Sequence, residues 1–353
     1  MKKKVIMFPD WRTANPYQDL LASGLNKNGV DCTFLGFKKN KVLTINASLK
    51  GVKKPDIIHI HWINQYIESI SWGSNYFILS IKFFLIFLDL LLLRMKGIKL
   101  VWTVHNLFSH ESNNKTRELI ARMIFARLCN IVVHSEGARQ LVAKTYRISK
   151  DKITVIPHGS YIGCYEHENS ITATLKNNFD IAPNDIVFLF LGHIRRYKGV
   201  EQLVNAFSET SNVNYKLVIA GKPKDEDDAK WLNKMAGKDS RIRLSLGFVP
   251  DNEICSYLEL SSTVVLPYIN TLTSGAAILA MSFGKALILP EKSKIFNLPD
   301  DGVIYYSEEQ GIVSAFSMAE EADLNIMGNI NLSYCHRMSW DFVTSKLARN
   351  VYN

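Results

Sequence analysis

The chain has 353 residues, 47% hydrophobic and 21% charged, with a formal net charge of +9. That length favours two domains over one, and the composition is that of a globular protein with sizeable cores and no repeat or low-complexity tract. The positive charge favours acidic partners such as nucleotides, phosphates or an anionic membrane, but the basic residues are scattered without a DNA- or RNA-binding signature, which argues against nucleic acid.

In chain order, the first half offers strand-like runs at Lys4–Phe8, Cys32–Leu35, Asp56–His61, Lys99–Val104, Asn130–His134 and Ile153–Ile156. Helix-like runs lie between them, among them Tyr17–Asn28, Arg117–Leu128 and Gly137–Tyr146. The start, Met1-Lys-Lys-Lys, is not followed by the apolar core of a secretory signal. The cysteines Cys32, Cys129, Cys164, Cys255 and Cys335 are too far apart to signal a zinc site or a redox pair. Reduced thiols and a cytoplasmic location are the expectation.

After the first strand comes Pro9-Asp-Trp-Arg-Thr-Ala-Asn-Pro-Tyr17, with Asn15 as a helix cap and Pro16 in the first turn. That loop places Asp10, Trp11 and Arg12 at a strand's carboxyl end, where Trp11 is suited to stack on a sugar. Tyr76–Leu93 approaches the length of a membrane span, but Lys82 and Asp89 interrupt it. The expectation is a mostly buried helix of an α/β domain; the competing reading is an apolar helix lying on a membrane surface, helped by Lys2, Lys3, Lys4, Arg94 and Lys96. His59 and His61 alternate with isoleucine and share one strand face; His59 is expected to be buried and satisfied. His105 ends a strand and has the stronger functional claim, with His158 in Pro157-His-Gly159 between the two.

A polar, irregular stretch, Ser160 to Pro183, separates the halves. Strand-like runs resume at Ile186–Leu191, Lys216–Ala220, Ile242–Leu246, Thr263–Leu266, Ala286–Leu289 and Val303–Tyr306. Many runs are apolar on both faces, as buried parallel strands require. The fold expected is α/β: two doubly wound, Rossmann-like domains facing a cleft, residues 1–168 and 169–337, with a closing helix in 338–353 that crosses back to the first.

Gly192-His-Ile-Arg-Arg-Tyr-Lys-Gly199 joins an apolar strand to an amphipathic helix. Arg195, Arg196 and Lys198 therefore stand by a helix N-terminus, where free N–H groups and the helix dipole favour an anion; a solvated basic turn is the plain alternative. A second cradle lies in Leu266 to Gly284: a loop ending at Thr273, Ser274 as cap, and small residues Gly275 and Ala276 opening a helix. Two such features in one domain favour a diphosphate.

These segments resemble the donor half of a GT-B-fold glycosyltransferase, in particular the large retaining family four of bacterial polysaccharide and glycolipid transferases. The resemblance is carried by "FLGHIRRYKGVEQLVNAF", "YKLVIAGKP", "IRLSLGFVPDNEICSYL", "VVLPYINTLTSGAAILAMSFGKALILP" and "MSWDFVTSKLARNVY", in the family's order, and by "DIIHIHW", "KLVWTVHN", "IVVHSEGARQLV" and "VIPHGSY" in the first half. It implies that Arg195 and Lys198 clamp the diphosphate, with His193 where the family often has arginine. Thr273, Ser274, Gly275 and Ala276 would form the phosphate loop, and Phe248 and Val249 would meet the nucleobase. His105 and Asp10 become candidate bases, with Trp11, Arg12, Asn15 and His158 on the acceptor side. The family's two glutamates, separated by seven residues, are replaced by Thr271 and Leu279, so ribose recognition and stereochemistry are not inherited.

The activity implied is hexose transfer from a UDP- or GDP-linked sugar to a saccharide, lipid-linked for choice, in bacterial surface polysaccharide synthesis. It would need no metal or other cofactor, and it would take place in the cytoplasm or on the cytoplasmic face of the inner membrane. The alternatives are a GT-B epimerase of a UDP-sugar and a non-catalytic sugar-nucleotide-binding protein. A dinucleotide oxidoreductase is disfavoured, because no Gly-x-Gly-x-x-Gly follows a first strand.

Overall fold

The computed structural model describes residues 2–13, 16–38, 42–71, 75–109, 114–268 and 271–353, with the side chains of residues 69–71 and 196 outside that description. The chain divides into two compact units, Met1–Gly159 with Ser339–Asn353, and Ser160–Met338. The boundary precedes the expected one after residue 168. From Ser160 onward the backbone is tied to the second unit: Ser160 N–H donates to the Met338 carbonyl and Tyr161 N–H to Ser282 Oγ, each at 2.9 Å.

The first unit is built on β1 (Lys3–Phe8), β2 (Val30–Phe34), β3 (Ile57–Ile60), β4 (Lys99–Thr103), β5 (Asn130–Val133) and β6 (Ile153–Val155). They form one six-stranded sheet in the order β2-β1-β3-β4-β5-β6, parallel throughout. The second is built on β7 (Ile186–Leu191), β8 (Tyr215–Gly221), β9 (Ile242–Leu246), β10 (Thr263–Val265), β11 (Ala286–Pro290) and β12 (Val303–Tyr306). Its order is β12-β11-β10-β7-β8-β9, again six strands and all parallel. The central strands are apolar on both faces because helices cover both. The second core is dominated by Phe188, Phe190, Phe207, Tyr215 and Phe316.

Each strand order reverses once, and the carboxyl ends at that reversal form the crevice where such sheets hold ligands. In the first unit the reversal lies between β1 and β3; in the second, between β7 and β10.

The closing helix runs from Trp340 to Leu347 and ends in a π turn, Ala348–Tyr352. It starts two residues later than its sequence run because Ser339 caps it, accepting the Phe342 N–H. Val343, Leu347, Val351 and Tyr352 complete the first core with Val5, Met7 and Leu21. A glycine at 24 is needed for this contact, since a β-carbon there would come within 2.8 Å of the Thr344 side chain.

The apolar helix spans Tyr76–Met95 and is not mostly buried, contrary to expectation. Its buried residues form the stripe Leu79, Ile86, Asp89, Leu90 and Leu93. Phe77 is 75% exposed and Phe84 59% exposed, with Tyr76, Ile78, Ile81 and Phe87 also outward. Asp89, which reads in sequence as an interruption of a span, is buried with a specific task. Its carboxylate accepts the Ile45 and Asn46 N–H groups and the Tyr66 hydroxyl, at 2.8, 3.1 and 2.7 Å.

Candidate active site

In the second unit, both expected phosphate-binding segments flank the β7/β10 reversal. The basic turn follows β7; the loop leading to the helix Gly275–Ser282 follows β10. They touch directly. Gly199 has φ +70°, and a β-carbon on it would collide with the Pro267 carbonyl. The left-handed conformation and the close approach both require glycine here.

Lys198 closes a short 3-10 turn and is half-buried. Its Nζ is 3.3 Å from where a β-carbon of Gly192 would stand and 5.8 Å from the Tyr268 ring centroid. Burial, then the nearby Arg195, pull its pKa down to about 8. A cation weakened in this way gains most from an incoming anion. Arg195 donates through Nη1 to its own neighbour's carbonyl, Ile194, at 2.7 Å and to Lys222 O at 3.3 Å. His193 is exposed, and partial burial, then Lys198, Arg195 and Lys222, lower its pKa. The Arg196 side chain lies outside the described residues.

Ser274 caps the facing helix as expected: its Oγ accepts the Ala277 N–H at 3.1 Å. The N–H groups of Gly275 and Ala276 precede any intrahelical partner, as first-turn amides do. Tyr268, on the loop between β10 and this helix, is 5% exposed, and burial pushes the pKa of its hydroxyl up. Of the two positions lacking the family's glutamates, Thr271 turns its hydroxyl onto the Thr273 carbonyl at 2.8 Å and Leu279 is half-buried. Phe248, expected at the base, is 75% exposed after β9, with Val249 half-buried beside it.

In the first unit the loop after β1 is held by Gln18, whose amide accepts the Trp11 N–H at 2.8 Å and donates to Pro9 O at 2.9 Å. Asp10 and Arg12 form a two-point ion pair at 2.9 Å. The guanidinium holds the Asp10 carboxyl below the usual range, which makes Asp10 a poorer base than the sequence suggested. Trp11 stacks on Trp62 at 5.1 Å, and Trp62 stacks on His105 at 4.6 Å. Asn15 lies outside the described residues.

His105 is 8% exposed and belongs to a group of histidines along the carboxyl edge of the sheet. Tyr17 stands amid His61, His105, His134 and His158, its ring 5.1 to 6.0 Å from theirs. His134 donates through Nδ1 to Ile156 O at 2.9 Å and His158 to Gly159 O at 2.8 Å. His59 is satisfied on both nitrogens, by Tyr352 and Thr103. Burial is the main cause that keeps all five neutral, with His59 and His158 near about 3 and His134 near about 4. Among the described residues no group of histidines, cysteines and carboxylates has metal-holding geometry.

Sequence reasoning missed Tyr17, Trp62, His61, His134, Lys222 and Tyr268. Each stands at or just beyond a strand's carboxyl end, or opens the helix after one, and that position is the signal that could have found them.

The family model described as "Glycosyl transferases group 1" matches residues 172–296, and that described as "Glycosyltransferase Family 4" matches residues 78–160. A "GDP-mannose:glycolipid 4-beta-D-mannosyltransferase" of Xanthomonas campestris is 25% identical over 67% of this chain and 61% of its own length. A "Lipopolysaccharide 1,2-N-acetylglucosaminetransferase" of Salmonella typhimurium is 24% identical over 60% of this chain and 54% of its own. The chain thus spans less than two thirds of these curated relatives. Among solved structures, a sucrose-phosphate synthase from Thermosynechococcus elongatus aligns over 99% of this chain and 98% of its own, with TM-score 0.75 and 13% identity. Anabaena HepE in complex with UDP aligns over 99% of both chains with TM-score 0.72 and 13% identity.

Proposed function

We propose that this chain, a GT-B-fold glycosyltransferase of the family-four type, moves a hexose from a UDP- or GDP-linked donor to a lipid-linked saccharide in the assembly of a bacterial surface glycan. One observation carries the reading. Lys198 and the Ser274-capped helix converge on a single strand-order reversal, joined by the Gly199–Pro267 contact. Cleavage of a sugar–diphosphate bond builds charge on the leaving phosphate. Lys198, Arg195 and the first-turn amides would stabilise that charge, which is the larger part of the catalytic task. The remainder is orientation of the acceptor hydroxyl at the anomeric carbon.

The donor class is supported by the GDP-mannose and UDP named for the relatives, and the lipid-linked acceptor by the glycolipid named for one of them. The outward apolar face of helix Tyr76–Met95, with Arg94 and Lys96 at its end, supports work at the inner face of a membrane. No step here is assigned to a metal.

The test is release of UDP or GDP from a panel of sugar nucleotides with free and lipid-linked saccharides, comparing wild type with Lys198→Ala. The variant should lose at least roughly a hundredfold in kcat/KM, as loss of a charge-stabilising donor does. Unchanged turnover would remove Lys198 from the site. Sugar conversion without an acceptor would indicate an epimerase, and nucleotide binding without release would indicate a binding protein.

A further inference from the structure

We infer that His61 is a positioning residue that fixes His105 with its proton on Nδ1, so that His105 serves the site as a hydrogen-bond donor and not as a base. His61 follows β3, is 1% exposed, and brings its Nδ1 to 3.3 Å from His105 Nε2. One of these nitrogens must donate to the other. If His105 donated, neutral His61 would carry its own proton on Nε2. That atom is buried without a partner among the described residues. An orphaned buried N–H is costlier than an orphaned lone pair. His61 therefore carries its proton on Nδ1 and gives it to His105 Nε2. Neutral His105 must then hold its proton on Nδ1, since the bond at one ring nitrogen sets the state of the other.

The rings have little freedom to choose otherwise. His59 stacks on His61 with centroids 4.3 Å apart, and His59 is anchored through both nitrogens, to Tyr352 Oη at 2.6 Å and Thr103 Oγ1 at 2.7 Å. Trp62 lies flat on the His105 ring and Tyr17 meets it edge-on. The stack fixes the His105 plane; His61 fixes its polarity. His134 and His158 give their Nδ1 protons to backbone carbonyls. With Nε2 engaged by His61, the proton on His105 Nδ1 is an N–H suited to an oxygen of a bound sugar.

The functional part of this inference rests on the transferase reading; the tautomer does not, and the two are measured separately. Long-range proton–nitrogen correlation spectra of the whole chain, labelled with nitrogen-15 histidine and assigned with His61→Asn and His105→Asn, should show a protonated Nδ1 and an unprotonated Nε2 in both His61 and His105. A protonated Nε2 on His105, or a rapid mixture of tautomers, overturns the assignment. In the transfer assay, His61→Asn keeps a donor where Nδ1 was and should stay within roughly threefold of wild type, whereas His61→Phe should lose roughly tenfold or more in kcat/KM. Equal losses in the two would reduce His61 to packing. If the Phe variant does not fold, the wild-type spectrum and His61→Asn still decide the matter.

Discussion

The ammonium of Lys198 stands 5.8 Å from the ring centroid of Tyr268, so the cation after β7 meets the aromatic ring of the loop that leads from β10 to the Ser274-capped helix. Burial and Arg195 bring Lys198 from its ordinary 10.5 to about 8. Its folded pKa lies below its unfolded one, so its charge opposes folding below about pH 8. That cost fades as pH rises through the window from 8 to 10.5. A bound diphosphate acts in the opposite sense and restores the proton. Nucleoside diphosphate binding should therefore take up a proton between these values and weaken as pH rises. Calorimetry in buffers of different ionisation enthalpy reads the uptake directly. Lys198→Arg, always charged, should bind without it; the same uptake in that variant would move its source to another group.

Gly199 gives a sharper structural prediction. Its φ of +70° and the Pro267 carbonyl against it leave no room for a methyl group. Gly199→Ala should cost on the order of 2–3 kcal/mol from backbone strain and collision together, measured by denaturant unfolding. At temperatures where the variant is folded, nucleotide affinity should still fall, because the two loops can no longer touch. A variant with wild-type stability and wild-type affinity would show that the contact is dispensable.

The strands were legible because parallel strands covered on both faces must be apolar, and runs such as Ile186–Leu191 admit few other readings. The Ser274 cap and the basic turn were legible for the same local reason. What stayed hidden depends on strand order. Nothing in the sequence shows that β7 neighbours β10, so Tyr268 reads as a residue just past a strand's carboxyl end and not as a neighbour of Lys198. The same holds for His61 and His105, which meet because β3 adjoins β4. Helix Tyr76–Met95 misled in the other direction. Its even hydrophobicity hid which stripe faces inward, and Asp89 reads as a defect until the amides of Ile45 and Asn46 are seen on it.

That helix yields a prediction in which stability and location separate. Phe77 and Phe84 are 75% and 59% exposed, so replacing them with serine removes little from the core. Phe77→Ser with Phe84→Ser should leave unfolding unchanged within about 0.5 kcal/mol. Each buried phenylalanine contributes about 1.5–3 kcal/mol to partition into an apolar phase, so binding to anionic phospholipid vesicles should drop at least about tenfold. Asp89→Ala should do the reverse, costing roughly 2–4 kcal/mol of stability through orphaned amides while vesicle binding of the folded fraction persists. Full vesicle binding by the double serine variant would show that this face is not the contact.

The last prediction concerns Glu118 and Arg122, an ion pair at 2.7 Å with side chains 0% and 3% exposed. Buried pairs of this kind contribute little net stability, and removing one partner costs about 3–5 kcal/mol because the other charge is stranded. Their remaining bonds show what the pair holds. Glu118 accepts the Ser109 N–H, and Arg122 donates to Asn106 O at 3.2 Å and to Asn64 Oδ1 at 2.7 Å. Tyr146 adds a bond from its hydroxyl to Leu107 O at 2.7 Å. The backbone just after His105 is thus fastened from beneath by three side chains. Arg122→Ala should unfold the first unit early. The double change Glu118→Leu with Arg122→Met should recover most of that loss, since no charge is stranded. Its loop after His105 would still lack its anchors, so the double variant should keep donor binding while its KM for the acceptor rises. Recovery of stability together with a normal acceptor KM would show that the pair serves folding alone.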